Sequence, residues 1–508
     1  MVPLVSIPSR ESWGTGEIPD LTRLSRWLKA AGFDFVQLLP VNEMAEGQNS
    51  PYSALSAMAI DPVFVALGEV QDFAEAGGDR ALTAGERADQ QALRGSGRVD
   101  YPNVRRIKGR ALELAFDSFH SRHWRSGSSR AEELLRFQER ESWWLDDYTL
   151  FRTLHEENHA RFWREWPPEV RDREPDALQA VRARLADRIL YYEYLQWVAD
   201  EQWQRARRAC GEVGIIGDFP FMVSSHSADV WARQNEFRVD VSVGVPPDAF
   251  SETGQDWGLP AYRWDVVAQT GYEWLNNRTR RCDELFDGFR VDHLVGFYRT
   301  FVRESDGTTY FVPEHEDEQR AQGERLLNLF SSYGSVILAE DLGTVPDFVR
   351  DSMARLGIPG TKVFRWERNW KAPGQPFRDP AAYAAISVAT SGTHDTETMA
   401  EWWESAEEEE RQRATEVLRQ LEVAAGPTYS PAVRDALLEA LFSAGSNLVI
   451  LPMQDVFGWR ERINRPASVG DENWTWRLPF AVEDLMTSGE PLERAAFLRR
   501  MSSRHGRS

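Results

Sequence analysis

Short apolar runs that stop abruptly at polar residues recur along this chain. They occupy residues 2–10, 33–41, 213–221, 286–294, 335–343, 361–367, 384–395 and 447–455. Several are near-continuous Val, Ile, Leu and Phe, as expected of strands covered on both faces. Between them the apolar spacing becomes helical. Residues 21–32 end in Gly32, and residues 345–357 begin near Pro346 and end in Gly357, which are start and stop signals of helices. Repeated strand and helix predict parallel βαβ units. Eight such strands predict an α/β chain closed as a (β/α)8 TIM barrel, with an open doubly wound sheet as the structural alternative. Roughly 170 residues separate the second and third runs, too many for one crossover, so a largely helical insertion is expected over 63–212. It contains 143–157 and 177–212, the latter a long helical pattern. The Gly- and Ala-rich stretch 75–103 reads as loop or short surface helices. Acidic 404–413 reads as a solvated helix face. No internal repeat is evident, and 1–508 reads as one barrel with insertions.

Four of the runs end in carboxylates: Asp218, Asp292, Glu340 and Asp395. In a parallel barrel every strand opens its C-terminal end on the same mouth, so acids distant in sequence converge. One acid at a strand end is ordinarily structural, but four, two of them beside His293 and His394, are harder to dismiss. Two chemistries can use such a set. In the first, paired carboxylates cleave a glycosidic bond, lying about 5–5.5 Å apart if configuration is retained. In the second, Asp292–His293 and His394–Asp395 ligate a divalent ion. Adjacent strand residues point to opposite faces, and zinc-type His spacings are absent, so the metal reading is the weaker one.

Composition narrows the classes. The chain has 508 residues, 42% of them hydrophobic, and a net charge of -21. A large core is attainable, and a nucleic-acid partner is disfavoured by charge. Two cysteines, Cys210 and Cys282, suit a reducing compartment. Neither a signal-like start nor an eighteen-residue apolar stretch occurs. A cytoplasmic protein without a membrane span is therefore expected. The 20 Trp read as core packing, or in part as platforms for sugar rings.

Motifs spread over nearly the whole length then point to a family. They include "SIPSR" (6–10), "SPYSALSAMAIDP" (50–62), "GDFPFMVSSHSADVWARQNEF" (217–237) and "VGVPPDAFSETGQDWGLPAYRW" (243–264). "FRVDHLVGF", "LAEDLGTV" (338–345), "SGTHDTET" (391–398) and "NWTWRL" (473–478) continue the series. In this order they resemble the 4-α-glucanotransferases of glycoside hydrolase family 77, also called amylomaltases or disproportionating enzymes. The resemblance implies Asp292 as nucleophile, Glu340 as general acid/base and Asp395 as transition-state stabiliser. It implies Arg290 and His394 as groups holding the nucleophile and the sugar hydroxyls, Tyr52 as an aromatic stacking near the cleaved bond, and Asn464 at the substrate rim. Asp218 is grouped with the substrate-binding residues. The loop 245–258, with Gly254 and Gly258 as hinges and Phe250 and Trp257 as platforms, reads as a lid over the acceptor side.

The implied activity is retaining transfer of an α-1,4-glucan segment between maltodextrin, starch or glycogen chains, with no cofactor and no metal. An α-amylase-type hydrolase and a non-catalytic glucan binder are the rival readings. On this view Arg290 should favour ionised Asp292, and the surroundings of Glu340 should raise its pKa. Ala249, His226 and Thr396 depart from the family pattern.

Overall fold

The computed structural model describes residues 1–247, 254–418, 425–466, 468, 470–487 and 489–507. Its strands in chain order are β1 (Phe35–Gln37), β2 (Gly214–Phe219), β3 (Phe237–Val245), β4 (Gln255–Tyr262), β5 (Gly288–Val291) and β6 (Thr300–Arg303), followed by β7 (Thr309–Val312), β8 (Val336–Ala339), β9 (Gly360–Val363), β10 (Ser387–Thr390) and β11 (Leu448–Ile450). Seven of the eight apolar runs supply one parallel sheet, ordered β1-β2-β5-β8-β9-β10-β11. The other four strands make an antiparallel sheet ordered β4-β3-β6-β7.

The first run, 2–10, does not become a strand. It forms a 3-10 turn at Leu4–Ser6, because Pro3 and Pro8 remove the N–H groups that a ladder needs. Its first two residues nevertheless fill the eighth place. The Val2 N–H donates to the Gln37 carbonyl at 3.0 Å, beside β1. The Met1 nitrogen donates to the Leu451 carbonyl at 2.7 Å, just past β11. The sheet is thus a nearly closed barrel with a two-residue seam.

Strand periodicity explains what lies inside it. Residues two apart face the same way. Ile216, Leu338, Val388 and Ile450 meet in a small core of their own, with Met1, Phe35 and Leu448 packed on it. Two residues further along the same faces come Asp218, Glu340 and Thr390. An apolar plug therefore supports a polar layer at the C-terminal mouth. Outside the barrel, Phe219, Phe289, Phe297 and Phe330 pack ring against ring, with centroids 5.1–5.6 Å apart. This fixes β2 and β5 against the helix Glu316–Phe330.

The helical stops fall where the sequence placed them: Asp20–Ala31 ends on Gly32 at φ +83° and Asp347–Leu356 on Gly357 at φ +73°, left-handed caps that glycine adopts without strain. Between β1 and β2 run the long helices Tyr101–Phe119, Ser129–Glu157 and Ala186–Cys210. The pattern over 177–212 is not one helix: it breaks at Leu185 into Pro175–Arg184 and Ala186–Cys210. Most of the 20 Trp are buried, so packing is the main use of that residue. Cys210 and Cys282 are both free thiols. Among the described residues no helix is long and apolar enough to cross a membrane.

Gly288 tests the close approach of β5 and β8. A Cβ there would lie 2.6 Å from the Val336 carbonyl oxygen, and that backbone is held by the strand pairing. Gly288→Ala is expected to cost about 1–3 kcal/mol, read as a lower urea midpoint at unchanged m-value. An unchanged midpoint would mean that the two strands part freely.

Candidate active site

The polar layer is organised by strand register. Asp218 on β2 pairs directly with Arg290 on β5, and Val291 pairs with Ala339 on β8. Asp292 and Glu340, each one residue further on, are therefore cross-strand neighbours at the mouth. Their backbones stay tied: the Asp292 N–H donates to the Phe219 carbonyl at 3.0 Å and the Glu340 N–H to the Val291 carbonyl at 3.1 Å.

Arg290 is the hub. One guanidinium nitrogen donates to Asp218 Oδ2 at 2.6 Å, and another donates to Asp292 Oδ1 at 2.8 Å and Glu340 Oε2 at 2.6 Å. Arg290 and Asp292 are two apart on one strand face, which is why the first can reach the second. Asp218 is enclosed and bonds Arg290 and the Tyr52 hydroxyl, which donates to it at 2.9 Å. Its role in this geometry is to hold those two groups, since its side chain has no exposed surface.

Asp292 and Glu340 share a hydrogen bond. Burial, with Glu340 alongside, pushes Asp292 up to about 8 even though Arg290 opposes it. Arg290 and the His293 N–H hold Glu340 below the ordinary carboxylate range against burial. Arg290 does favour ionised Asp292, as expected, but burial and Glu340 outweigh it; at Glu340 the expected rise from burial is outweighed by Arg290 and the His293 amide. The two directions are opposite, with Asp292 the more readily protonated member of the pair. The physical reason is that Glu340 accepts two strong donors, Arg290 and the His293 amide (2.9 Å), whereas Asp292 has one.

His293 delivers that amide through a left-handed backbone, φ +43°, a conformation that is strained for a residue with a Cβ. Its ring is pinned edge-on by Trp257 at 4.8 Å and by Phe221 at 5.4 Å. Trp257 on β4 therefore packs beside the acid pair. Gly254 and Gly258, which flank that part of the hairpin, sit at φ +70° and +66°. Phe250 and Ala249 lie outside the described residues.

Asp395 closes the third side. His394 Nε2 lies 3.3 Å from its Oδ2, and Asn464 Nδ2 donates to its Oδ1 at 2.7 Å. His394 and Asn464 outweigh burial and hold the Asp395 carboxyl down at about 2, while Asp395 raises His394 despite burial. Tyr52 stacks on the His394 ring at 5.3 Å and 22°, which links this side to Asp218 and Arg290. Thr396 closes the turn: its Oγ1 accepts from the Thr393 N–H at 3.0 Å and donates to the Thr393 carbonyl at 3.1 Å. His226 packs against His155 and Phe162. Its Nε2 faces His155 Nε2 at 3.0 Å, and burial pushes both imidazoles down, so the pair is neutral.

Two residues that the motifs did not single out also hold the site. Arg462 donates to the Asp395 carbonyl at 3.0 Å. Trp474, at φ +65°, packs on both Tyr52 (5.9 Å) and His394 (5.7 Å). Each lies in a quoted or neighbouring motif, but a left-handed backbone at Trp and a bond to a main-chain carbonyl leave no sequence signal. As for metal ligation, the group of three potential donors among the described residues is Asp72, Glu75 and His123. It lies in the helical region between β1 and β2, where Arg130 already engages both Asp72 oxygens.

Fold and site together define a barrel enzyme with a paired-carboxylate centre at its C-terminal mouth. Comparisons agree. Residues 2–483 match the glycoside hydrolase family 77 profile, described as 4-alpha-glucanotransferase. A 4-alpha-glucanotransferase of Thermus thermophilus is 34% identical over 469 residues, 89% of each chain. One from Chlamydia pneumoniae is 30% identical over 501 residues, 95% of this chain and 91% of that one. The solved amylomaltase from Streptococcus agalactiae in complex with acarbose superposes with a TM-score of 0.83 at 26% identity, covering 100% of this chain and 98% of that one. The chain belongs to glycoside hydrolase family 77, the 4-alpha-glucanotransferases.

The proton's position can be tested directly. In Glu340→Gln the neighbouring negative charge is gone and Arg290 serves Asp292 undivided. Asp292 is then expected to titrate more than one unit lower, read by difference infrared spectroscopy of the carboxyl band against Asp292→Asn. A band that still titrates near 8 would show that burial alone sets it.

Proposed function

We propose that this chain is a 4-α-glucanotransferase acting on α-1,4-glucans as both donor and acceptor. The observation that carries the reading is the single Arg290 guanidinium that draws Asp292 and Glu340 together, with ionised Asp395 alongside. Asp292 is the proposed nucleophile, Glu340 the acid/base and Asp395 the stabiliser of the positive charge that develops on the sugar.

A donor glucan enters with its anomeric carbon against Asp292 and its glycosidic oxygen against Glu340. This separates the two carboxyls and transfers their shared proton to Glu340. Asp292 attacks the anomeric carbon, the glycosidic bond breaks, and Glu340 protonates the leaving oxygen. A covalent glycosyl-Asp292 remains. The 4-hydroxyl of an incoming glucose or glucan then loses its proton to Glu340 and displaces Asp292, restoring an α-1,4 bond. Neither metal nor cofactor is needed for this sequence of proton and glycosyl transfers.

Transfer prevails over hydrolysis when an acceptor is held and water is kept out. The β3–β4 hairpin, which brings Trp257 beside the acid pair and has Gly254 and Gly258 in left-handed conformations, supports the proposal that loop 245–258 acts as a lid on the acceptor side. Tyr52, His394 and Asn464 are the proposed sugar contacts. Free thiols at Cys210 and Cys282 support a reducing, cytoplasmic location.

Maltotriose separates the readings. Transfer is expected to give glucose and a ladder of longer maltodextrins with little net gain in reducing ends. A steady rise in reducing ends would instead point to an α-amylase-type hydrolase. Asp292→Asn is expected to lose at least about 1,000-fold in kcat/KM, as removal of a covalent nucleophile does, while maltodextrin still binds. Substantial residual turnover would refute the nucleophile assignment.

The pH profile supplies a second check. The reaction needs the pair with one proton. That form begins to fail when the second proton leaves, near 8 by the raised Asp292 value. Its acid limit lies below the ordinary Glu range, because Glu340 is held down. kcat/KM is therefore expected to be flat through neutrality and to fall on the alkaline side around 8. An alkaline fall already complete by about 6 would contradict the shared-proton arrangement.

A further inference from the structure

A cavity opens beside the chain segment that carries Asn464 and Trp474. It has a volume of about 970 Å³, at the upper end of what small-molecule sites occupy. Its wall includes residues 459–462, 465, 472–473 and 476–481. The same stretch of chain places Asn464 on Asp395 and Trp474 on His394. The cavity therefore shares a wall with the proposed glucan site.

Its charge is the reverse of the molecule's. The chain carries a net charge of -21, yet this cavity is lined by Arg94, Arg98, Arg460, Arg462, Arg465 and Arg477, with Glu461 and Glu472 as the facing acids. Three of the arginines have no carboxylate within ion-pair distance among the described residues. Arg94 is held by the carbonyls of Ser12 and Glu11, and Arg477 by those of Leu93 and Ser96. Arg98 is exposed, and its main chain is fixed by a bridge to Trp476. Arg460 and Arg465 pair with Glu404 and Glu401 respectively, so they neutralise acids near the rim rather than the cavity itself.

Aromatic rings complete the site. Trp459 and Phe480 are half-buried and meet at 5.6 Å, and Trp459 also meets Trp476 at 5.8 Å. An aromatic face suits the apolar face of a pyranose, and guanidiniums that face no carboxylate suit phosphate oxygens. A neutral glucan would leave those guanidiniums without a counter-charge. A nucleic acid would meet the acidic surface around the cavity.

We propose that this cavity binds a phosphate-bearing sugar beside the glucan site, with the ring on Trp459 and Phe480 and the phosphate on Arg94 and Arg98. The shared chemistry is a phosphate monoester on a hexose, carried either on a glucan chain or on a free sugar phosphate. The inference rests on the proposed glucan-transfer reading for its neighbouring site.

Calorimetric titration of the full chain tests it with four probes: glucose 6-phosphate, a maltodextrin bearing a 6-phosphate, unmodified maltotriose and inorganic phosphate. Asp292→Asn is used as the background so that no probe turns over. Glucose 6-phosphate is expected to bind in the presence of saturating maltotriose, which marks a separate site. Arg98→Glu, an exposed change, is expected to weaken it about tenfold or more, the loss of one charged hydrogen-bond partner, and raised salt is expected to weaken it further. Tighter binding of the phosphorylated maltodextrin than of the free sugar phosphate would identify a glucan-borne phosphate, and the reverse a free metabolite. Inorganic phosphate binding as well as either sugar would overturn the sugar part of the proposal. No binding of any phosphate, or no effect of Arg98→Glu with circular dichroism unchanged, would overturn it entirely. The product ladder from maltotriose with the unaltered chain decides the transfer reading separately, so the two can fail independently.

Discussion

Everything at the barrel mouth depends on one guanidinium. Three carboxylates, Asp218, Asp292 and Glu340, converge on Arg290. Two like charges about 4 Å apart repel by about 4 kcal/mol at an effective dielectric of 20. Such a group of acids would not stay together without a compensating cation, and a buried cation would not stay without the acids. Arg290 also provides a geometry that lysine would not: separate nitrogens reach separate carboxylates in fixed directions. The apolar plug of Ile216, Leu338, Val388 and Ile450 below it supports that ionic layer and keeps it at the mouth.

The second consequence of this arrangement is asymmetry between two chemically similar acids. Glu340 receives the His293 amide as well as Arg290, and Asp292 does not. The strained backbone at His293 is thus tied to the placement of a proton. Asp395 belongs to a different electrostatic environment, set by His394 and Asn464, and stays ionised while the other two share. Three acids with three environments suit the three tasks proposed for them.

Much of this was legible in the residues. Seven of the eight apolar runs are the barrel strands, because strands covered on both faces need continuous apolar residues, and each glycine stop read from the pattern ends a helix in a left-handed cap. The acids emerged because parallel strands share one open end. What was missed has a physical cause in each case. Pro3 and Pro8 turned an apolar run into a 3-10 turn. The break at Leu185 occurs inside an unbroken helical pattern. Arg462 and Trp474 act through a main-chain carbonyl and a left-handed backbone, neither of which residue type reveals. The proton's location followed from counting donors on Glu340, which requires the folded geometry.

The resting position of that proton has a bearing on how the site meets reactive molecules. A protonated Asp292 is a poor nucleophile, so burial that raises its pKa makes the carboxylate less ready to attack passing electrophiles. Arming requires a guest that pries Glu340 away and takes its place as hydrogen-bond partner. Epoxide or aziridine labels that mimic only the sugar ring would therefore react sluggishly. Those that also carry a basic atom at the aglycone position would set the trap themselves.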